Sequence, residues 1–257
     1  MPISSTAHII IAELLLGYNF PGLAFEIFLH IASIFAVIIF FRRDLWLIII
    51  GFLSYFRIKN SENKAYFLFG SYIIIATFIT GVLGLFFKGL VEETMKTPAF
   101  IAGGLTVTGT ALVFVGKFWK HGNRTYKNMT IWDAVKVGIG QAVAVLPGIS
   151  RSGSTLATAL WIGLDRDTAV RYSFLLAIPV ILGSTVLTVG EIPSKIWSII
   201  GTGPLIMSFF TSFSFSWIGI IWLINFLKQG RLLYFAFYCY VIALIVFIFV
   251  REIPTTF

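Results

Sequence analysis

An arginine stands where a bilayer-spanning stretch ordinarily has none. Arg151 lies in the run Leu146-Pro147-Gly148-Ile149-Ser150-Arg151-Ser152-Gly153-Ser154-Thr155, inside a segment otherwise apolar enough for lipid. A guanidinium at that depth costs about 3 kcal/mol or more unless it faces a cavity or a partner. Its planar fork of donors suits phosphate oxygens, which it grips through two parallel hydrogen bonds. Ser150, Ser152, Ser154 and Thr155 crowd the same stretch, and Thr155 falls one helical turn beyond Arg151, on the same face. A half-helix starting after Pro147-Gly148 would also aim free backbone N–H groups and its positive dipole end at that spot. These residue types describe an anion cradle within a membrane. The competing account pairs Arg151 with Glu26 or a backbone carbonyl and leaves the hydroxyls to pack helices.

A second group lies near residue 1. His8 follows Ser5 by three residues and Ser4 by four, so a helix there sets the imidazole beside both hydroxyls. A hydroxyl next to a base is the minimal nucleophile arrangement, and imidazole also protonates a leaving group near neutral pH. His30 stands four residues after Glu26, and that pair is expected to satisfy itself; His121, in a basic loop, is expected to be solvated. Glu13 and Glu26 are the carboxylates well inside apolar runs, but neither has an acidic neighbour in sequence, which weakens a metal assignment. Asp165, Arg166, Asp167 and Arg171 read as a solvated loop, and the single cysteine, Cys239, as a packing residue. One cysteine makes neither a disulfide framework nor a thiolate metal site.

The elements that must position these groups follow from composition. Hydrophobic residues make up 58% of the 257 and charged ones 12%, against about 25% charged in a soluble domain. Such a chain is not a soluble enzyme, a disordered chain or a nucleic-acid-binding domain. Its net charge of +8 is spread over short loops rather than gathered on one element. Crossing the hydrocarbon takes about 20 apolar residues, and six runs qualify: Leu23–Phe41, Tyr66–Phe87, Ala99–Phe118, Tyr172–Gly190, Leu205–Leu227 and Leu233–Val250. Leu45–Phe56 is too short and reads as an interfacial or half-buried helix. Residues 2–17 and 131–163 are apolar but broken by Pro, Gly, Ser and Thr. A straight helix through 131–163 would lose hydrogen bonds at Pro147 and set Arg151 near mid-membrane. Two half-helices meeting at Pro147-Gly148 resolve both problems, because broken backbone is tolerated where it lines a cavity.

Charge supports that reading. With 131–163 re-entrant, one set of loops (42–65, 117–130, 164–171, 228–232) carries 13 Lys and Arg, and the other set carries 4. The richer side is expected to be cytoplasmic, with both termini outside. The broken segments also resemble each other: Pro2-Ile3-Ser4-Ser5-Thr6 and Pro147-Gly148-Ile149-Ser150-Arg151-Ser152 share a core, and three spans follow each. An odd number of crossings per unit inverts the second copy and places a binding site near the midplane. The expected fold is therefore an all-α integral membrane protein, six transmembrane helices plus two re-entrant helical hairpins in an inverted-topology repeat. It forms a single membrane domain over 1–257, with repeat one about 1–118 and repeat two about 131–250.

Pro2-Ile3-Ser4-Ser5-Thr6-Ala7-His8 and Pro147 through Thr155 resemble the two signature motifs of the bacitracin-resistance type of undecaprenyl-pyrophosphate phosphatase. Phe25-Glu26 through Arg42-Arg43, the Gly140-Gln141 approach to the second motif and Tyr172 through Pro179 also fit its pattern, so the likeness runs nearly end to end. The resemblance implies a plasma-membrane, multi-pass enzyme that removes the terminal phosphate of a C55 polyprenyl diphosphate and recycles the carrier lipid for wall polymers. Carried over, His8, Ser5 and Arg151 are the expected catalytic residues, and Ser4, Thr6, Ser150, Ser152 and Thr155 the expected substrate-binding hydroxyls. A divalent cation, Mg²⁺ or Ca²⁺, is implied as cofactor. Family members carry Glu-x-x-x-Glu-Phe-Leu just before the first motif. Met1 stands at the position of that Leu, so the cation ligands and the first leg of the hairpin are expected to be encoded upstream. Partners are the lipid diphosphate and the membrane, not nucleic acid, with a homodimer as a further assembly to test.

Two other classes compete. The type-2 phosphatidic acid phosphatases need a histidine six residues after the arginine, where this chain has Ala157, and a Pro-Ser-Gly-His string that it lacks. A non-hydrolytic transporter that flips a phosphorylated polyprenyl lipid could use the same anion cradle. Cleavage of the diphosphate separates that reading from the enzyme.

Overall fold

Lipid offers no partner to a backbone amide, so long apolar runs satisfy their own N–H and C=O groups by coiling into helices. The computed structural model describes residues 1–16, 24–88, 97–118, 122–190 and 200–249. Its helices are α1 (Ser5–Leu16), α2 (Ala24–Phe40), α3 (Arg42–Tyr55), α4 (Ser61–Lys88), α5 (Pro98–Val113), α6 (Ile131–Val143), α7 (Arg151–Trp161), α8 (Arg166–Val189), α9 (Thr202–Lys228) and α10 (Leu232–Phe249). Among the described residues the strand-like contact is an isolated pairing of Arg124 with Leu164. The chain is an all-α integral membrane protein: five helices are long and apolar enough to cross, six when the bent pair α2–α3 counts as one span.

Five of the six expected spans appear with their ends moved by a few residues. The first differs. α2 turns by 73° into α3 at Phe41, so the short helix expected at Leu45–Phe56 begins at Arg42 as its continuation. Charge explains the corner. Arg42 bonds back to the Ile39 carbonyl at 3.0 Å, and Asp44 is drawn to Arg171 of α8 at 2.8 Å. Phe41 fills the bend and stacks on Phe174. The presumed loop around Asp165 is also corrected. Asp165 caps α8 by accepting from the Thr168 amide at 2.7 Å, and Arg171 ion-pairs with both Asp44 and Asp167. A carboxylate that can satisfy an orphan amide starts a helix rather than a loop.

The segment 131–163 doubles back. α6 and α7 have 13 and 11 residues, each too short for a bilayer core of about 30 Å at about 1.5 Å per residue. Their open ends meet on one guanidinium. Arg124 holds the buried Asp133 carboxylate near the start of α6 with two bonds, and the Ile162 carbonyl just past α7 at 3.1 Å. Asp133 also accepts the Thr130 amide at 2.7 Å and its hydroxyl at 3.0 Å. The hairpin tip rests on α5. Gly148 has φ +85°, a conformation glycine adopts without strain, and lies so close to Ile101 that a Cβ would sit 2.3 Å from that carbonyl oxygen. Gly104 makes the matching space from the α5 side.

α1 packs on α5 and α10, with Ala7, Ile101, Leu105, Ala243 and Val246 forming a small core. A larger core joins α2, α4, α7, α8 and α9. Large apolar side chains such as Trp46, Phe78, Val186 and Phe247 are exposed. On a chain of this kind they meet acyl chains rather than water.

Candidate active site

A cavity of about 540 Å³ opens among α1, α2, α7, α8 and α9. Ser5 and His8 reach it from α1; Arg151, Ser152 and Thr155 reach it from α7. Residues 143 positions apart, His8 and Arg151, therefore face one space. Apolar groups such as Ile34, Leu156, Phe174, Ile178, Phe215 and Ile220 form much of the wall.

Arg151 begins α7, and Ser150 is the cap. The Ser150 hydroxyl accepts from the Gly153 amide at 3.2 Å, while its own amide donates to Thr108 on α5 at 3.0 Å. The helix start is thereby fixed from two sides, and the amides of Arg151 and Ser152 have no intrahelical acceptor. The guanidinium forms no hydrogen bond or ion pair with the described residues. Glu26, its suggested partner, is taken: Thr6 donates to its Oε1, and His30 lies 3.4 Å from the same atom. A buried-facing cation without a carboxylate, beside free helix-start amides, is an anion site in physical terms.

The hydroxyls divide. Ser5 and Ser152 line the cavity, and Ser152 donates to the Met1 carbonyl at 2.8 Å, joining the two helix starts. Thr155 also lines it, yet its hydroxyl bonds back to the Arg151 and Ser152 carbonyls at 3.1 and 3.3 Å. Ser150 is occupied as a cap, Thr6 by Glu26, and Ser4 is buried; these three do not line the cavity. Ser154 turns from Arg151 to donate to the Gly140 carbonyl, tying α7 to α6.

His8 departs from the expected serine–histidine pair. Nδ1 lies 2.8 Å from the Ser4 carbonyl, which can only accept, so Nδ1 carries a proton. Nε2 lies 2.7 Å from the Tyr238 hydroxyl of α10. Neither nitrogen bonds the hydroxyl of Ser4 or Ser5. Spacing brought the groups into one turn; the backbone won the ring. Ser4 has φ 60°, and this left-handed twist accompanies its carbonyl's bond to the imidazole. Such a conformation costs on the order of 1 kcal/mol in a residue with a Cβ.

Several residues in or beside the wall were given no role by the sequence reading. Gln141 is buried in the wall, with Nε2 donating to Thr80 at 3.0 Å and the Thr80 hydroxyl donating to the Gly138 carbonyl at 3.1 Å. Oε1 of Gln141 and Oγ of Ser173 have no hydrogen-bond partner among the described residues. Ser208, Ser212 and Ser216 form a hydroxyl stripe on α9; Ser212 and Ser216 meet Ser33 of α2 at 3.3 and 2.9 Å. Their four-residue spacing in an apolar span was a usable signal. Tyr238 offered none, because it lies 230 positions from His8. Cys239 is buried as expected, its thiol 3.6 Å from the Pro2 carbonyl. The side chain of Glu13 and all of His121 lie outside the described residues.

A divalent cation needs several oxygen ligands, carboxylates foremost. Among the described residues no group of three or more His, Cys, Asp or Glu side chains could hold a metal, and no carboxylate lines the cavity. The described residues do not by themselves make a cation site.

Residues 1–245 match the family profile "Bacitracin resistance protein BacA". Similar curated proteins include "Undecaprenyl-diphosphatase 2" of Halalkalibacterium halodurans, 57% identical over 97% of this chain and 90% of its own. "Undecaprenyl-diphosphatase 1" of Shouchella clausii is 49% identical with the same coverage. "Undecaprenyl-diphosphatase" of Oceanobacillus iheyensis is 38% identical, again over 97% and 90%. With the arginine, the histidine and the broken helix all falling inside the matched region, the chain belongs to the bacitracin resistance protein BacA family.

Proposed function

We propose that this protein hydrolyses the terminal phosphate of a polyprenyl diphosphate, undecaprenyl diphosphate by the names of its relatives, and leaves the monophosphate carrier lipid. One observation carries the reading: a guanidinium unpaired among the described residues shares a membrane cavity with Ser5 and His8. Arg151 and the first amides of α7 grip the diphosphate and stabilise charge as it grows on the phosphoryl oxygens. A water forms the new bond to the terminal phosphorus, or Ser5 forms it first and a water then attacks the resulting phosphoserine at phosphorus, freeing Ser5 and inorganic phosphate. The bond from that phosphorus to the bridging oxygen breaks, and the oxygen leaves on the lipid monophosphate. His8 holds its proton at Nδ1 and exchanges one at Nε2, whose lone pair meets the Tyr238 hydroxyl in this tautomer. The apolar wall between α2, α8 and α9 suits an isoprenoid tail. Names of diphosphatases among the relatives favour cleavage over translocation.

A divalent cation, implied by the resemblance, would take its ligands from outside the described residues. Plasma-membrane placement with both termini outside rests on the 13-to-4 loop charge contrast. The inverted repeat draws support from a reciprocal contact: α7, of the second unit, rests on α5, while α1, of the first, rests on α10. Pairing of two copies is tested by native mass spectrometry.

Purified protein, given polyprenyl diphosphate in detergent with and without EDTA, is expected to release inorganic phosphate. Tight binding of a lipid that is never cleaved, with metal supplied, would move the assignment to a transporter.

A further inference from the structure

We propose that Tyr238, on α10 and outside both motifs, is the positioning residue for His8. The inference rests on the hydrolytic reading of the cavity. Its phenol oxygen lies 2.7 Å from Nε2, and the two rings lie 5.6 Å apart and within 5° of parallel. The Ser4 carbonyl can only accept, so Nδ1 keeps its hydrogen and the neutral ring presents a lone pair at Nε2. A phenol is the partner that suits that nitrogen in both of its states. It donates to the bare lone pair, and after the ring has taken a proton it accepts from Nε2–H by turning its own hydrogen aside. An apolar ring in its place would leave Nε2 without that partner.

α10 holds the phenol firmly. The neighbouring Cys239 thiol lies 3.6 Å from the Pro2 carbonyl, and Tyr240 bonds Thr110 of α5 at 2.9 Å. Ala243, farther along the same helix, packs in one core with Ala7. The helix therefore packs against the chain at Pro2 and at Ala7, next to His8, and Tyr238 is its polar contact with the ring. Tyr238 does not line the cavity, so it acts through His8 rather than on the substrate.

Tyr238→Phe removes one oxygen and keeps the ring. Phosphate release is expected to fall about tenfold in kcat, with KM changed less than about twofold, since the lost contact is to the proton carrier and not to the lipid. Added to His8→Ala, the same change should slow the enzyme no further, because residues acting as a unit are not additive. An unchanged or raised kcat, or an equal further loss on the His8→Ala background, would overturn the proposal. A second readout does not depend on turnover. The chain has three histidines, so nitrogen-15 histidine NMR in micelles resolves them. Tyr238→Phe should move the Nε2 signal of His8 and leave the other two in place; an unmoved His8 signal contradicts the proposal even if no phosphate is ever released, which is the outcome that separates it from failure of the hydrolytic reading.

Discussion

The starts of α1 and α7 are built from related strings, yet the structure finishes them in opposite ways. At α7 the polypeptide is fixed by neighbours: Gly148 and Gly104 let the tip lie on α5, Thr108 holds the Ser150 amide, and Ser150 caps the helix. All of that restraint leaves the Arg151 guanidinium unspent. At α1 the backbone takes the twist, with Ser4 left-handed, and the proposed proton carrier His8 is tied down at both nitrogens. One start presents an open charge to an incoming anion, and the other presents a ring whose proton positions are set beforehand. Division of this kind lets binding and proton transfer be tuned by separate residues.

That contrast breaks most completely at Arg151. Arg151→Ala should lower kcat/KM about a thousandfold, roughly 4 kcal/mol of transition-state stabilisation, and Arg151→Lys should recover little of it because an ammonium lacks the fork. Phosphate-release kinetics decide this. Asp133→Ala tests the clamp that keeps the hairpin legs together. Leaving Arg124 without its buried partner should cost about 3 kcal/mol of stability, seen as a lower unfolding midpoint in detergent. His8→Ala should slow turnover about a hundredfold without lowering the unfolding midpoint comparably. The smallest effect belongs to Ser150→Ala. Loss of the cap should cost about 1 kcal/mol of stability, with a modest rise in KM as the first turn of α7 loosens.

Much of the architecture was legible because lipid permits few solutions. The apolar runs, the break at Pro147-Gly148 and the exceptional Arg151 all follow from what a bilayer charges for a bare amide or a guanidinium. Local spacing succeeded where neighbours in sequence settle the matter, as with Glu26 and His30. It failed where a distant group outbid the near one. His8 sits within a turn of two serines but is held by a backbone carbonyl and by a phenol from the far end of the chain. The 73° corner at Phe41 depends on Arg171 reaching Asp44, a contact between helices that no local pattern reveals. Thr155 was placed on the correct face, yet its hydroxyl is bonded to its own helix. A face is legible from sequence; the direction of a single hydrogen is not.

The division of labour between the two helix starts is tested most directly by measuring lipid diphosphate binding to His8→Ala. The account predicts wild-type affinity within about threefold, because binding is the work of Arg151 and the start of α7 and the imidazole acts on protons. A loss of binding as deep as that of Arg151→Ala would contradict it, since both starts would then be gripping the same anion.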